Sequence, residues 1–234
     1  MVDYFIFDGV NTYEEYDVIL TDANYFDSAV RSVTTEQVPG RNGELVFDDG
    51  YFENPSITLT GLIKGNFSTM FPLLRDWMES NRGYKRLEIS KEPEEFFLAR
   101  VSDALEPETS LRQKTGWFSI KFSRKPQRFL KSGETLTQVT SGTVLTNPTS
   151  QTALPLINCY GSGTLTLGSQ SLKITGNPYT YITVDSDIKD CYFGDKNCNG
   201  YVTADGFPEL GAGDTKVTFT GFTKIEIEPR WWRL

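Results

Sequence analysis

Between Asp195 and Val202 the chain reads Asp-Lys-Asn-Cys-Asn-Gly-Tyr-Val, with oxygen-bearing side chains at the first, third and fifth places, glycine at the sixth and an apolar residue at the eighth. That is how a calcium loop opens, with Asp195, Asn197 and Asn199 as the first ligands. The twelfth place should supply a bidentate glutamate and is Gly206, and neither flank (191–193 or 206–208) has a helical pattern. An Asn/Gly-rich β-turn accounts for the same residues, and the flanks favour it.

Catalytic arrangements are scarce. The chain has no histidine, which removes the commonest general base, the commonest zinc ligand and every Ser-His or Cys-His pairing. Glu92, Glu94 and Glu95, and likewise Asp185, Asp187 and Asp190, are close in sequence. A glycosidase needs two carboxylates at a set separation, which sequence spacing does not establish. With 31 acidic residues in 234, such clusters are also what solvated loops contain. Gly211-Ala-Gly213 has two glycines of a phosphate-cradling loop but leads into a strand pattern at 216–220, so no helix N-terminus would meet the phosphate. The expectation is a non-enzyme with no cofactor. Tyr179, Tyr181, Tyr192 and Tyr201 offer ring faces that would stack on a sugar or a partner, so a non-catalytic carbohydrate-binding module stands as the alternative reading of the second half.

Charge and composition exclude further classes. A net charge of −8 with no basic arm argues against a protein that grips nucleic-acid phosphates. Hydrophobic residues at 38% are enough for a packed core, so disorder of the whole chain is set aside. Three cysteines, Cys159, Cys191 and Cys198, are too few and too odd for a disulfide framework and suit a reducing compartment, although Cys191 and Cys198 would be the pair if one formed. The N-terminus lacks the basic and apolar regions of a secretory signal, and no run approaches the roughly 18 apolar residues of a membrane span. The expectation is a cytosolic product with no membrane contact.

The elements that would position these residues are mostly strands. Residues 30–38 are rich in β-branched types and run into Val38-Pro-Gly-Arg-Asn-Gly43, where Asn42-Gly43 favours positive φ, so a hairpin tip is expected there. Ile57 and Leu59 alternate with Thr58 and Thr60; Phe118, Ile120 and Phe122 alternate with Ser119 and Lys121. One helix is expected over 68–82, with Met70, Leu73, Leu74, Trp77 and Met78 on one face, Ser68 as its cap, Pro72 in the first turn and Gly83 at the C-terminal αL place. Past a polar, Thr-rich stretch the pattern is short strands only: 154–159, 163–167, 171–175, 181–184, 189–193, 216–220 and 224–228, with turns at Gly168-Ser169 and Gly176-Asn-Pro178. That series indicates a β-sandwich. The fold class is mainly β, a β-rich first domain (1–132) with one helix followed by a β-sandwich (133–234).

In chain order, four patches resemble the distal tail protein family of siphophages and related prophages. They are Phe5-Ile-Phe-Asp-Gly9 leading to Asp17-Val-Ile-Leu20; Val38-Pro-Gly-Arg-Asn-Gly43 before a strand and Tyr51; Gly116-Trp-Phe-Ser-Ile-Lys-Phe122 with Pro126; and Gly206-Phe-Pro-Glu-Leu-Gly-Ala-Gly213 followed by Ile225-Glu-Ile-Glu-Pro-Arg-Trp-Trp232. The resemblance covers essentially the whole chain. It implies a tail-tube-like, ring-forming first domain and a galectin-like β-sandwich. It also implies a hexameric ring, single or back to back, at the distal end of a long non-contractile tail. Such a hub joins the major tail tube protein to the tail-tip protein and, in some members, to receptor-binding proteins, and it is assembled in the host cytoplasm. DNA crosses the ring without specific binding, and an acidic chain suits such a channel. Within this reading Val38, Pro39, Gly40, Arg41, Gly43 and Leu45 of the hairpin are the candidate assembly residues.

Overall fold

The structure is a computed structural model and describes residues 2–24, 27–108 and 114–234. The chain divides into two compact units, one ending at Arg128 and one running from Phe129 to Arg233.

The first unit is a twisted sheet whose strands lie in the order Val10–Asn11, Phe5–Phe7, Lys85–Ile89, Glu95–Val101, Gly116–Leu130, Ser56–Ile63, Val18–Asn24. The alternations read from sequence decide its faces. Phe118, Ile120 and Phe122 stand opposite Gly61, Leu59 and Ile57, and all of these apolar side chains are buried. Gly61 is glycine because a Cβ there would lie 2.6 Å from the Phe118 ring. The helix Phe67–Ser80 covers this face with Phe67, Phe71, Leu74 and Met78. Met70 and Trp77 flank that stripe, but Leu73 is exposed, so the buried face is turned from the expected one.

The helix ends also differ from expectation. The N-cap is Asn66 at φ 54°, not Ser68, and its carbonyl rather than its side chain receives the N–H groups of Thr69 and Met70. With the start at Phe67, Pro72 falls beyond the first turn, inside the helix. At the other end Ser80 Oγ and Asn81 Nδ2 donate to the carbonyl of Trp77 at 2.7 and 3.0 Å, and Gly83 (φ 76°) lies beyond the Asn81 cap. A second helix, Thr12–Tyr16, is one turn long and too short to leave a periodicity. Asn11 caps it by accepting from the Tyr13 N–H, and Asp17 ends it in the αL region.

The second unit is a β-sandwich built on two strands that serve both layers. Leu156–Leu167 and Gly213–Glu228 pair along their length, and the register shifts around Gly161. On one side of the shift they are joined by Ile182–Asp185 and Thr137–Val139; on the other by Gln170–Ile174 and Val144–Asn147. Four strands expected as separate pieces are therefore two bent ones. Glycines at the bend look like turn residues in sequence but mark a corner in the fold. Ile157, Cys159, Val184, Cys191 and Ile225 from one layer meet Leu165, Leu172, Ile174 and Val217 from the other. Arg230 grips Asp185 through two bonds of 2.7 and 3.1 Å. Burial alone would raise the Asp185 pKa, but the Arg230 guanidinium outweighs it and holds the carboxyl below its ordinary range. Trp231 is buried in this core, and half-buried Trp232 donates its indole N–H to Thr152 O at 2.9 Å.

Candidate functional site

The feature of the first unit that its own core does not explain is the hairpin Arg31–Gln37 and Glu44–Phe52, a sheet of two strands by itself. Among the described residues neither hydrophobic cluster includes a side chain from it. A two-stranded ribbon without a packed face is marginal in water. This one carries large apolar side chains on both faces. Thr34 opposite Phe47 and Glu36 opposite Leu45 share one face; Val33 opposite Asp48 and Thr35 opposite Val46 share the other. Phe47 is 52% exposed and Val46 61%. Two opposed apolar faces suit a wedge between two neighbours better than a lid on one surface.

Local chemistry keeps the ribbon formed. Its tip is the six-residue loop 38–43, in which Arg41 N–H donates to Val38 O at 3.1 Å across Pro39 and Gly40 (φ 82°). Proline followed by a positive-φ glycine is the signature of a type II turn. Gly43 (φ 81°) then returns the chain to the strand, so the tip is wider than a two-residue Asn-Gly turn. Near the root, Asp49 accepts from the hydroxyls of Ser32 and Thr34, and Asp48 pairs with Arg31 at 2.6 Å. Arg31 and the Gly50 N–H hold the Asp48 carboxyl below its usual range. Between 31 and 53 stand five carboxylates and two arginines, so the ribbon is acidic as well as apolar.

The calcium-loop residues are tied into a turn. Gly194 and Asp195 form the tip of a tight hairpin that pairs Phe193 with Lys196. Asn197 Oδ1 accepts the Asn199 N–H at 3.1 Å, and Asn199 Oδ1 accepts the Cys191 N–H at 2.8 Å. Asn199 Nδ2 donates to Asp190 at 2.7 Å. Two of the three candidate oxygens, those of Asn197 and Asn199, are thus occupied by main-chain donors, and addition of a chelator is expected to leave the melting temperature unchanged; a drop in the melt would restore the metal site. Cys159, Cys191 and Cys198 are free buried thiols. Burial pushes Cys191 up to about 12, which makes it inert as a nucleophile.

The tyrosines are brought partly together. Tyr179 stacks on Phe193 with centroids 4.9 Å apart, and the Lys196 amine lies over the Tyr179 ring at 5.5 Å. Tyr201 meets Tyr179 edge-on, and Tyr181 lies between Phe193 and Tyr160. Tyr192 points to the other side of its strand, toward Asp185. Phe193 thus takes one face of the Tyr179 ring within the chain. The polar side chains beside them are paired internally: Lys224 with Glu226, Glu226 with the Tyr160 hydroxyl, and the buried Thr183 with Asn158.

No family profile and no curated protein matches the chain. Solved structures do. The Dit protein of phage SPP1, described as a paradigm of the hub adsorption apparatus in phages infecting Gram-positive bacteria, superposes with a TM-score of 0.76 over 100% of both chains at 13% identity. A chain of the phage p2 baseplate in its activated conformation superposes with a TM-score of 0.56 over 97% of both chains at 12% identity. Identity this low speaks for architecture. Across its whole length the chain has the fold of a phage tail hub protein, a mainly β architecture whose second unit is the galectin-like sandwich.

Proposed function

We propose that the chain is a non-catalytic structural subunit of a bacteriophage tail tip. Six copies close into a ring through the 31–52 hairpin, and the ring joins the major tail tube protein to the tail-tip protein, either carrying receptor-binding proteins or passing them to its neighbour. The observation that carries this reading is the end-to-end likeness to a hub adsorption protein, with no segment of the chain left over. The exposed apolar hairpin supplies the contact such a ring needs, and its carboxylates, with a chain charge of −8, suit a channel that DNA must cross without sticking. Light scattering on the purified chain over a range of concentrations tests the proposal. A mass of six protomers, or a multiple of six, is expected. A monomer throughout, with no addition on mixing with tail-tube protein, overturns the ring.

A further inference from the structure

Both legs of the hairpin are pinned to the body by one residue. The main-chain N–H of Arg124 donates to Pro55 O at 3.0 Å, just past the exit strand. Its Nη2 donates to Asp27 O at 2.6 Å, just before the entry strand, and its Nη1 reaches Lys125 O and Pro126 O, each at 3.1 Å. The guanidinium lies 5.1 Å from the Phe97 ring centroid. Among the described residues the root is also held by the Glu53 N–H to Val30 O bond, by Asn24 Nδ2 donating to the Asp27 carboxylate at 2.9 Å and by an exposed contact of Asn54 with the Tyr84 hydroxyl.

Arg124 is an unusual residue for the task. It heads the fully buried side chains by volume, at 1% exposure. Its neighbour Arg128 has a buried carboxylate partner in Glu95 at 2.8 Å; among the described residues Arg124 takes no ion pair and its Nε–H has no acceptor. Burial, reinforced by the charge of Arg128, lowers its pKa to about 10, which still leaves it a cation at neutral pH. A buried cation held by carbonyls and a ring face is a poor way to stabilise a core. It is a good way to fix three main-chain carbonyls in one plane, because the guanidinium fork is rigid.

We infer that Arg124 is a positioning residue that sets the stance of the hairpin on the body, and that the contact between copies depends on that stance. The second half of this inference rests on the ring reading above. The ribbon's own ladder keeps it formed; the pin fixes where it points. A contact made by a pre-aimed wedge loses less conformational freedom on association than one made by a swinging wedge.

The test uses the full chain with spin labels at Asn42→Cys on the tip and Glu79→Cys on the long helix, diluted into unlabelled protein so that only distances within one copy are read. In Arg124→Met, the distance distribution is expected to at least double in width, while the helix amides exchange at the wild-type rate. The concentration for half-assembly should rise at least tenfold. A distribution as narrow as the wild type's overturns the pin. If the methionine variant does not fold, Arg124→Lys is read in the same way, since one amine cannot hold all three carbonyls. A wild-type chain that never assembles overturns the assembly half alone and leaves the distance readout intact. A ring that survives with a narrow distribution removes the pin and leaves the ring.

Discussion

Val46→Asp combined with Phe47→Asp is expected to abolish the proposed ring and yield monomers while leaving the thermal unfolding of the chain almost unchanged. The two side chains are among the most exposed apolar groups of the first unit, and they lie on opposite faces of the hairpin. Neither belongs to a core cluster, so the body loses nothing when they change. A valine or phenylalanine that becomes buried at a contact contributes about 2 kcal/mol. Aspartate removes that and places a carboxylate next to Asp48 and Asp49 in a dry interface. The pair should therefore cost each contact at least about 4 kcal/mol, about a thousandfold in association. Val38 and Leu45, nearer the tip, should act in the same direction with smaller effect, since both are less exposed than Val46. Light scattering reads the mass and a melt reads the fold. A ring of unchanged mass would move the contact away from the hairpin.

What could be read in advance was what depends on neighbours in sequence. The alternation at 57–59 and 118–122 fixes which side of each strand is buried, because side chains two apart share a face. The existence of the long helix follows from its apolar stripe, yet its buried face was misplaced. Phe67 and Phe71 belong to that stripe and leave Leu73 in solvent, and whether an apolar residue meets the sheet is decided by the sheet. The hairpin was legible as a hairpin from its turn residues. That Phe47 and Val46 would face water was not, since an apolar residue in a strand reads as core until the opposite layer proves to be absent. Arg124 was hidden for a different reason: it falls on the buried side of the same alternation, two places past Phe122, but a charged residue there reads as the end of the buried run, and its acceptors at residues 27 and 55 are remote in sequence. Of the four candidate tyrosines, Tyr179, Tyr181 and Tyr201 form one group and Tyr192 does not, and the Phe193 that occupies one face of Tyr179 was not among the candidates. Composition names the rings, but tertiary packing decides which faces remain open.

The bend shared by the two layers of the sandwich should be the least forgiving point of the second unit, and Gly163→Ala is the substitution that tests it. A Cβ at Gly163 would lie 2.2 Å from Thr220 O and 2.8 Å from Phe222 N, both main-chain atoms of the paired strand. Rotamer changes cannot relieve a clash with a backbone. The bend must open, and opening it shifts the register between Leu156–Leu167 and Gly213–Glu228 on which both layers depend. Gly221, at φ 84° and with its own Cβ position 2.8 Å from Ser162 O, constrains the same corner from the opposite strand. Costs above about 4 kcal/mol come from a short list of causes, and forced main-chain movement in a packed core is among them. Against a stability of about 5–15 kcal/mol for a domain, that is a large share, and it corresponds to a fall of roughly 20 °C in the melting of a unit this size. Gly200→Ala is the control, because nothing lies within 4 Å of a Cβ there; it should change stability by no more than about 0.5 kcal/mol. Trp231 reports the second core and Trp77 the first, so indole fluorescence combined with amide exchange tells which unit has yielded. Early loss of protection in Leu156–Leu167, with the Phe67–Ser80 helix still protected, is the expected pattern. If Gly163→Ala melts with its control, the corner is pliable and the two layers do not depend on a fixed bend.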